Sequence, residues 1–155
     1  MRLGIISDTH GKLRPEVFDV FAEVDHILHG GDVGPVALLD RLAELAPVTA
    51  VYGNVDGLEV RQRCPQVARV ELDGFIVLVT HGDQFGSPTP AILHREFPDA
   101  EIIVFGHTHR PAEERVGRQL ILNPGGAGAP RFGLRPSIAL LDIDETREEF
   151  RLIHL

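Results

Sequence analysis

The first half of the chain alternates between short apolar runs and helical stripes, and this alternation restricts the fold more than any other feature. Residues 3–7 are an Ile-rich run, long enough for a buried strand and too short for a helix. Pro15 sits where a first helical turn tolerates proline, and Val17, Phe18, Phe21 and Val24 follow at helical spacing. Residues 26–29 read as a second strand. Pro35 opens a second helix with Val36, Leu39, Leu42, Leu45 and Ala46 as its apolar stripe, and residues 48–52 read as a third strand. Strand, helix, strand, helix, strand implies a parallel sheet with right-handed crossovers.

The second half changes character. Residues 67–72 and 75–80 flank Asp73-Gly74, a strong hairpin signal. Residues 88–97 read as a short helix and 102–105 as a strand. Residues 113–116 and 119–122 surround Gly117-Arg118 as a second hairpin, and 137–143 with 149–154 form a last strand pair. No repeat, low-complexity tract or linker interrupts residues 1–155, so a single domain is expected. The pattern predicts an α/β chain (α+β in some schemes) with two mixed sheets packed together and helices outside.

Composition narrows the setting. With 155 residues, 43% of them apolar, such a chain buries roughly 70% of its unfolded surface and needs no disulfide. Cys64 is the single cysteine, which points to a reducing, cytoplasmic location. No basic stretch followed by an apolar one opens the chain, and no run approaches the ~20 residues of a membrane span. The net charge of −8 argues against general nucleic-acid binding, which rests on neutralising phosphates with Lys and Arg. A small anionic substrate stays open, because bound divalent cations reverse the local field.

The polar residues of interest follow strands. Asp8-Thr9-His10-Gly11, Gly30-Gly31-Asp32, Gly53-Asn54-Val55-Asp56, His81-Gly82 and Gly106-His107-Thr108-His109 each come directly after one. Ligands bind beyond the carboxyl ends of strands in α/β sheets, so five such loops can converge. Asp-x-His and His-x-His place two side chains on one side of an extended segment. Asp, Asn and His without thiolate suit Mn²⁺, Fe²⁺, Ni²⁺ or Zn²⁺. Two such ions, about 3.5–4 Å apart, can hold a hydroxide and a phosphoryl group for in-line displacement, with Asp32 as the candidate bridge. Taken singly, each loop has a plainer reading: turn chemistry for the Asp and Asn residues, a structural histidine for His81. As an ordered set they are hard to obtain as scattered turns.

This set resembles the calcineurin-like metallophosphoesterases. With Asn123-Pro124-Gly125-Gly126 and the short length, it is similar to the small bacterial and archaeal phosphodiesterase branch, which includes the retromer scaffold subunit. The resemblance implies a four-layer sandwich, two mixed β-sheets face to face and flanked by helices. It also implies one ion on Asp8, His10, Asp32 and His109, and a second on Asp32, Asn54, His81 and His107, with manganese expected first and iron, nickel or zinc as alternatives. Asp32 and Asn54 would be catalytic, and Asn54 would also touch substrate.

Two departures stand out. Many members of the wider family carry a leaving-group acid, His, directly after the Asn; here Val55 stands there and cannot donate a proton. Asp56 could substitute only if its pKa were raised, and is otherwise structural. Small relatives often read His-Gly-His where this chain has His81-Gly82-Asp83. Asp83 could orient His81 or repel a dianionic monoester. His29 is a candidate second layer behind Asp32, or simply strand packing. Arg110 and Arg131 are candidate phosphate clamps, or ordinary surface arginines. The expected function is a metal-dependent phosphodiesterase acting on a small phosphoester. A phosphomonoesterase and a non-catalytic interaction scaffold are the alternatives. Strand edges at the hairpins leave room for a homo-oligomer.

Overall fold

The computed structural model describes residues 1–155. In chain order its elements are β1 (Arg2–Ile6), α1 (Pro15–Val20), β2 (His26–His29), α2 (Ala37–Ala43), β3 (Val48–Ala50) and α3 (Leu58–Arg63). Then follow β4 (Val67–Leu72), β5 (Phe75–Thr80), α4 (Pro90–Glu96), β6 (Ile102–Phe105), β7 (Ala112–Val116), β8 (Gln119–Asn123), β9 (Ser137–Asp144) and β10 (Arg147–His154). The first sheet runs β10-β9-β1-β2-β3 and the second β4-β5-β6-β8-β7. Both are mixed: β1, β2 and β3 are parallel, as are β5, β6 and β8, while the hairpin partners run antiparallel.

Three apolar layers hold the sandwich. Leu3, Ile5, Leu28, Ala139 and Leu141 of the first sheet face Val77, Val79, Ile102, Val104 and Leu120 of the second. Strand residues alternate faces, so Ile6, Ile27, Ile138 and Leu140 point outward and are covered by Val17 and Phe21 at α1, Leu39 and Leu42 of α2 and Val60 of α3. On the far side, Leu78, Ile103 and Ile121 pack on Leu93 of α4. Helix, sheet, sheet, helix is the four-layer order expected. Each fully buried Leu, Ile or Phe contributes about 1.5–3 kcal/mol. Gly4 makes one such contact feasible, since a Cβ there would lie 2.9 Å from the Phe21 ring.

The differences from the sequence reading are local. α3 is absent from the sequence reading, because its two apolar residues, Leu58 and Val60, stand two apart and display no helical period. β3 stops at Ala50. α2 begins at Ala37 rather than Pro35, since the Leu38 and Leu39 N–H groups bond to the Pro35 and Val36 carbonyls in a tighter first turn. α4 begins at Pro90, where the Thr89 hydroxyl caps it by accepting from Ile92 N at 3.3 Å. No helix is long and apolar enough to cross a membrane.

This topology brings the carboxyl ends of β1, β2 and β3 against those of β5 and β6. Asp8 N donates to Gly31 O at 3.0 Å, and Gly106 N to His81 O at 3.2 Å. His107 N crosses between the sheets to Asp8 Oδ2 at 3.2 Å. Loops from both sheets therefore share one pocket of backbone.

Candidate metal centre

The backbone at these loops is bent into a conformation that side chains rarely adopt. Asp8, His10, Asp32, His107 and His109 all have φ between 47° and 69°. Such geometry costs roughly 1–3 kcal/mol per residue and persists where the surroundings impose it. Here it turns five polar side chains inward at strand ends. Glycine supplies the remaining space: at Gly53 a Cβ would collide with the carboxylate and backbone of Asp32.

The side chains meet as lone pairs. Asp8 is fully buried; its Oδ2 accepts from Ser7 Oγ at 2.7 Å and from His107 N, whereas its Oδ1 has no hydrogen-bond partner. Around that orphan oxygen lie His109 Nε2 at 3.3 Å, His81 Nε2 at 3.9 Å and His10 Nε2 at 4.0 Å. His10 Nε2 is likewise buried without a partner. Asp32 Oδ2 sits 3.2 Å from His81 Nε2 and 3.8 Å from His10 Nε2, while its Oδ1 accepts from Val55 N at 3.0 Å. Asn54 Oδ1 and His107 Nδ1 approach His81 Nε2 at 3.1 and 3.3 Å. Two donor groups, Asp8 with His10 and His109, and Asp8 with Asp32 and His81, each fit within 4.8 Å. All seven residues singled out from the sequence are thus brought together.

Such an array needs a cation. His81 Nδ1 donates to Gly30 O at 2.8 Å, which leaves Nε2 facing a carboxylate oxygen, an amide oxygen and a ring nitrogen. Acceptors this close repel unless a proton or metal ion lies among them. Burial opposes a charge on His81, but the Asp32 hydrogen bond and the Asp8 and Asp32 charges overcome it and push its pKa up to about 9. His10 goes the other way: burial lowers it despite Asp32 and Asp8. Burial would raise Asp32, yet His81, the Val55 N–H and His10 hold it below the usual carboxylate range. Hard and borderline donors, orphaned and aimed at each other, fit divalent ions of the Mn²⁺–Zn²⁺ kind, with carbonyl-anchored His81 presenting Nε2.

A second layer fixes the loops. His29 is fully buried, and burial lowers its pKa to about 4. It accepts from Gly31 N through Nδ1 at 3.1 Å and donates through Nε2 to Thr9 Oγ1 at 3.0 Å, and Thr9 in turn donates to Val33 O at 2.7 Å. Neutral His29 thereby ties the Asp8–His10 loop to the Asp32 loop. In the unfolded chain this imidazole takes its proton near pH 6.5, so between pH 6.5 and about 4 the unfolded state binds more protons. Stability is therefore lost as the pH falls through that window, by up to about 3 kcal/mol. Urea unfolding of metal-free protein at about pH 7 and pH 4.5 should show a steeper acid loss for wild type than for His29→Gln. Equal losses would contradict the neutral His29.

Asp56 is engaged by three backbone N–H groups. Its carboxylate accepts from Val33 N, Gly34 N and Gly53 N at 3.1, 3.0 and 2.8 Å, clasping the loops after β2 and β3. Asp83 makes no hydrogen bond to His81, whose Nδ1 is held by Gly30 instead. Its Oδ1 is buried without a partner. Arg131 is near enough to disfavour a proton on His10, and Arg110 lines an open depression beside His107. Sequence reasoning missed Ser7, and it missed Arg61, which donates to the carbonyls of Asp56, Gly53 and Asn54. Neither carries a motif signal; each is visible only once the loops are folded.

Residues 1–146 match the model of the calcineurin-like phosphoesterase superfamily domain. The chain belongs to this superfamily. It is 33% identical to a probable metallophosphoesterase of Methanothermobacter thermautotrophicus, over 99% of this chain and 92% of that one. The structure of a novel archaeal phosphodiesterase superposes with a TM-score of 0.81 at 27% identity, covering 100% of both chains. The zinc complex of Vps29 from Entamoeba histolytica superposes at 0.78 with 26% identity, covering 99% of both. Membership carries phosphoric ester hydrolysis as the reaction class.

Proposed function

We propose that this protein, acting as one domain over residues 1–155 in a reducing, cytoplasmic setting, hydrolyses a small phosphodiester at a dinuclear metal site. The observation that carries the reading is the orphaned Asp8 Oδ1 ringed by His10, His81 and His109, with Asp32 Oδ2 between His10 and His81. Asp8, His10, Asp32 and His109 would hold one ion; Asp32, Asn54, His81 and His107 would hold the other. Manganese suits these donors, as do iron, nickel and zinc. Bound there, two such ions would polarise phosphoryl oxygens and lower the pKa of a water molecule to near neutrality.

The chain's own groups supply the rest. Asn54 turns its carbonyl oxygen to His81, and its amide nitrogen has no protein partner, which leaves N–H donors for a phosphoryl oxygen. Arg131 adds positive charge beside His10. No side chain in the Asn54 loop can protonate a departing oxygen: Val55 is apolar and 65% exposed, and both Asp56 oxygens are engaged by backbone N–H groups. Leaving groups that depart unprotonated, such as aryl oxides, are therefore favoured. A monoanionic diester also suits a chain of net charge −8 better than a dianionic monoester does.

Manganese-loaded protein should turn over bis(4-nitrophenyl) phosphate faster than 4-nitrophenyl phosphate. Equal or faster monoester hydrolysis would overturn the diester preference and favour the phosphomonoesterase reading.

A further inference from the structure

Beside His107 lies a depression of about 240 Å³ lined by Ser87, Thr108, Arg110 and Phe132. We propose that it is a subsite for a nucleobase, which makes the organic arm of the diester a nucleoside. This rests on the phosphodiesterase reading for the phosphate but not for the ring.

Phe132 is the first indication. It is 71% exposed, and its ring stands edge-on to His109 at 6.1 Å between centroids. It occupies the first of two central positions in a tight turn closed by Leu134 N donating to Arg131 O at 2.9 Å. Phe132 and Gly133 have φ of 54° and 71°. Turns with positive φ at both central positions are normally Asn-Gly or Asp-Gly. A bulky residue in that conformation is a genuine outlier. The chain therefore places, at the tip of a strained turn, an aromatic ring that packs into no core and stands against His109.

The other walls fit the edge of a heteroaromatic ring. The Arg110 guanidinium has no carboxylate or carbonyl partner within the protein, although the chain is rich in acids. The Thr108 hydroxyl oxygen accepts from Arg110 N and from Asn123 Nδ2, both at 3.2 Å, which leaves its hydrogen free to donate. Ser87 adds a second hydroxyl. An alkyl or lipid arm would leave these donors unmatched, whereas a base offers a π-face to Phe132 and ring oxygens and nitrogens to Arg110, Thr108 and Ser87. The volume lies below the roughly 300–1,000 Å³ of sites for larger ligands, so one ring fits.

Two measurements test the subsite. Titrating metal-free protein with thymidine, which needs no ion, should shift the amide resonances of Thr108, Arg110 and Phe132; no shift there overturns the proposal even if the protein hydrolyses diesters. In zinc-loaded protein, calorimetry should show thymidine 5′-monophosphate binding about tenfold tighter than methyl phosphate, as stacking on one aromatic ring provides. Phe132→Asn should remove that preference while raising the melting temperature, because Asn suits the turn. A preference that survives, or a variant that melts lower, assigns Phe132 a structural role and overturns the proposal. If methyl phosphate shifts Arg110 as strongly as the nucleotide does, the guanidinium is a phosphate clamp and the base subsite falls. A thymidine response without any diester hydrolysis would retain the subsite and reject the phosphodiesterase reading.

Discussion

Asp32→Asn is expected to reduce diester turnover by more than the 10–100-fold typical of losing a residue behind a ligand, with the fold intact. The substitution keeps volume and shape, and an amide oxygen can still accept the Val55 N–H now bonded to Asp32 Oδ1. What it removes is the anionic Oδ2 that faces His81 at 3.2 Å and His10 at 3.8 Å, one from each proposed ion's donor set. An amide nitrogen there offers hydrogen atoms where a cation is needed. Circular dichroism should match wild type while kcat collapses. Turnover within a few fold of wild type would remove Asp32 from the bridging position.

Metal removal should have an effect of similar size, and on stability as well. Clustered acceptors with orphaned Asp8 Oδ1 and His10 Nε2 are costly without a cation, so chelation should abolish turnover and lower the melting temperature. A ligand at a hundred times its dissociation constant stabilises by about 2.7 kcal/mol per site. For a domain of this size that is a shift of roughly 5–10 °C. Mn²⁺ should restore both properties in wild type, and the thermal shift should be smaller in Asp32→Asn. If divalent ions left the melting temperature unchanged, the loops would be a relic and the scaffold reading would take over.

Much of this centre was legible because each polar loop announces itself after a short apolar strand. Gly31-Asp32, Gly53-Asn54 and His107-Thr108-His109 can be read from the sequence alone because strand ends, glycine spacing and donor chemistry coincide. The helical stripes of Val17–Phe21 and Leu39–Leu42 likewise expose the outer layers. What stayed hidden depends on contacts between segments distant in sequence. Asp56 reads as either a substitute acid or a structural carboxylate until its oxygens are seen on Val33 N, Gly34 N and Gly53 N. His29 shows its role only through Gly31 and Thr9. Helix α3 carries apolar residues only at Leu58 and Val60, which show no helical spacing, and Phe132 looks like any apolar residue until its turn places it in solvent.

Anomalous diffraction from crystals grown with Mn²⁺ tests the central claim most directly. The account predicts two manganese peaks per chain, one among Asp8, His10 and His109 and one among Asn54, His81 and His107, with Asp32 touching both. A single peak, or an Asp32 side chain in contact with only one ion, would contradict the dinuclear centre.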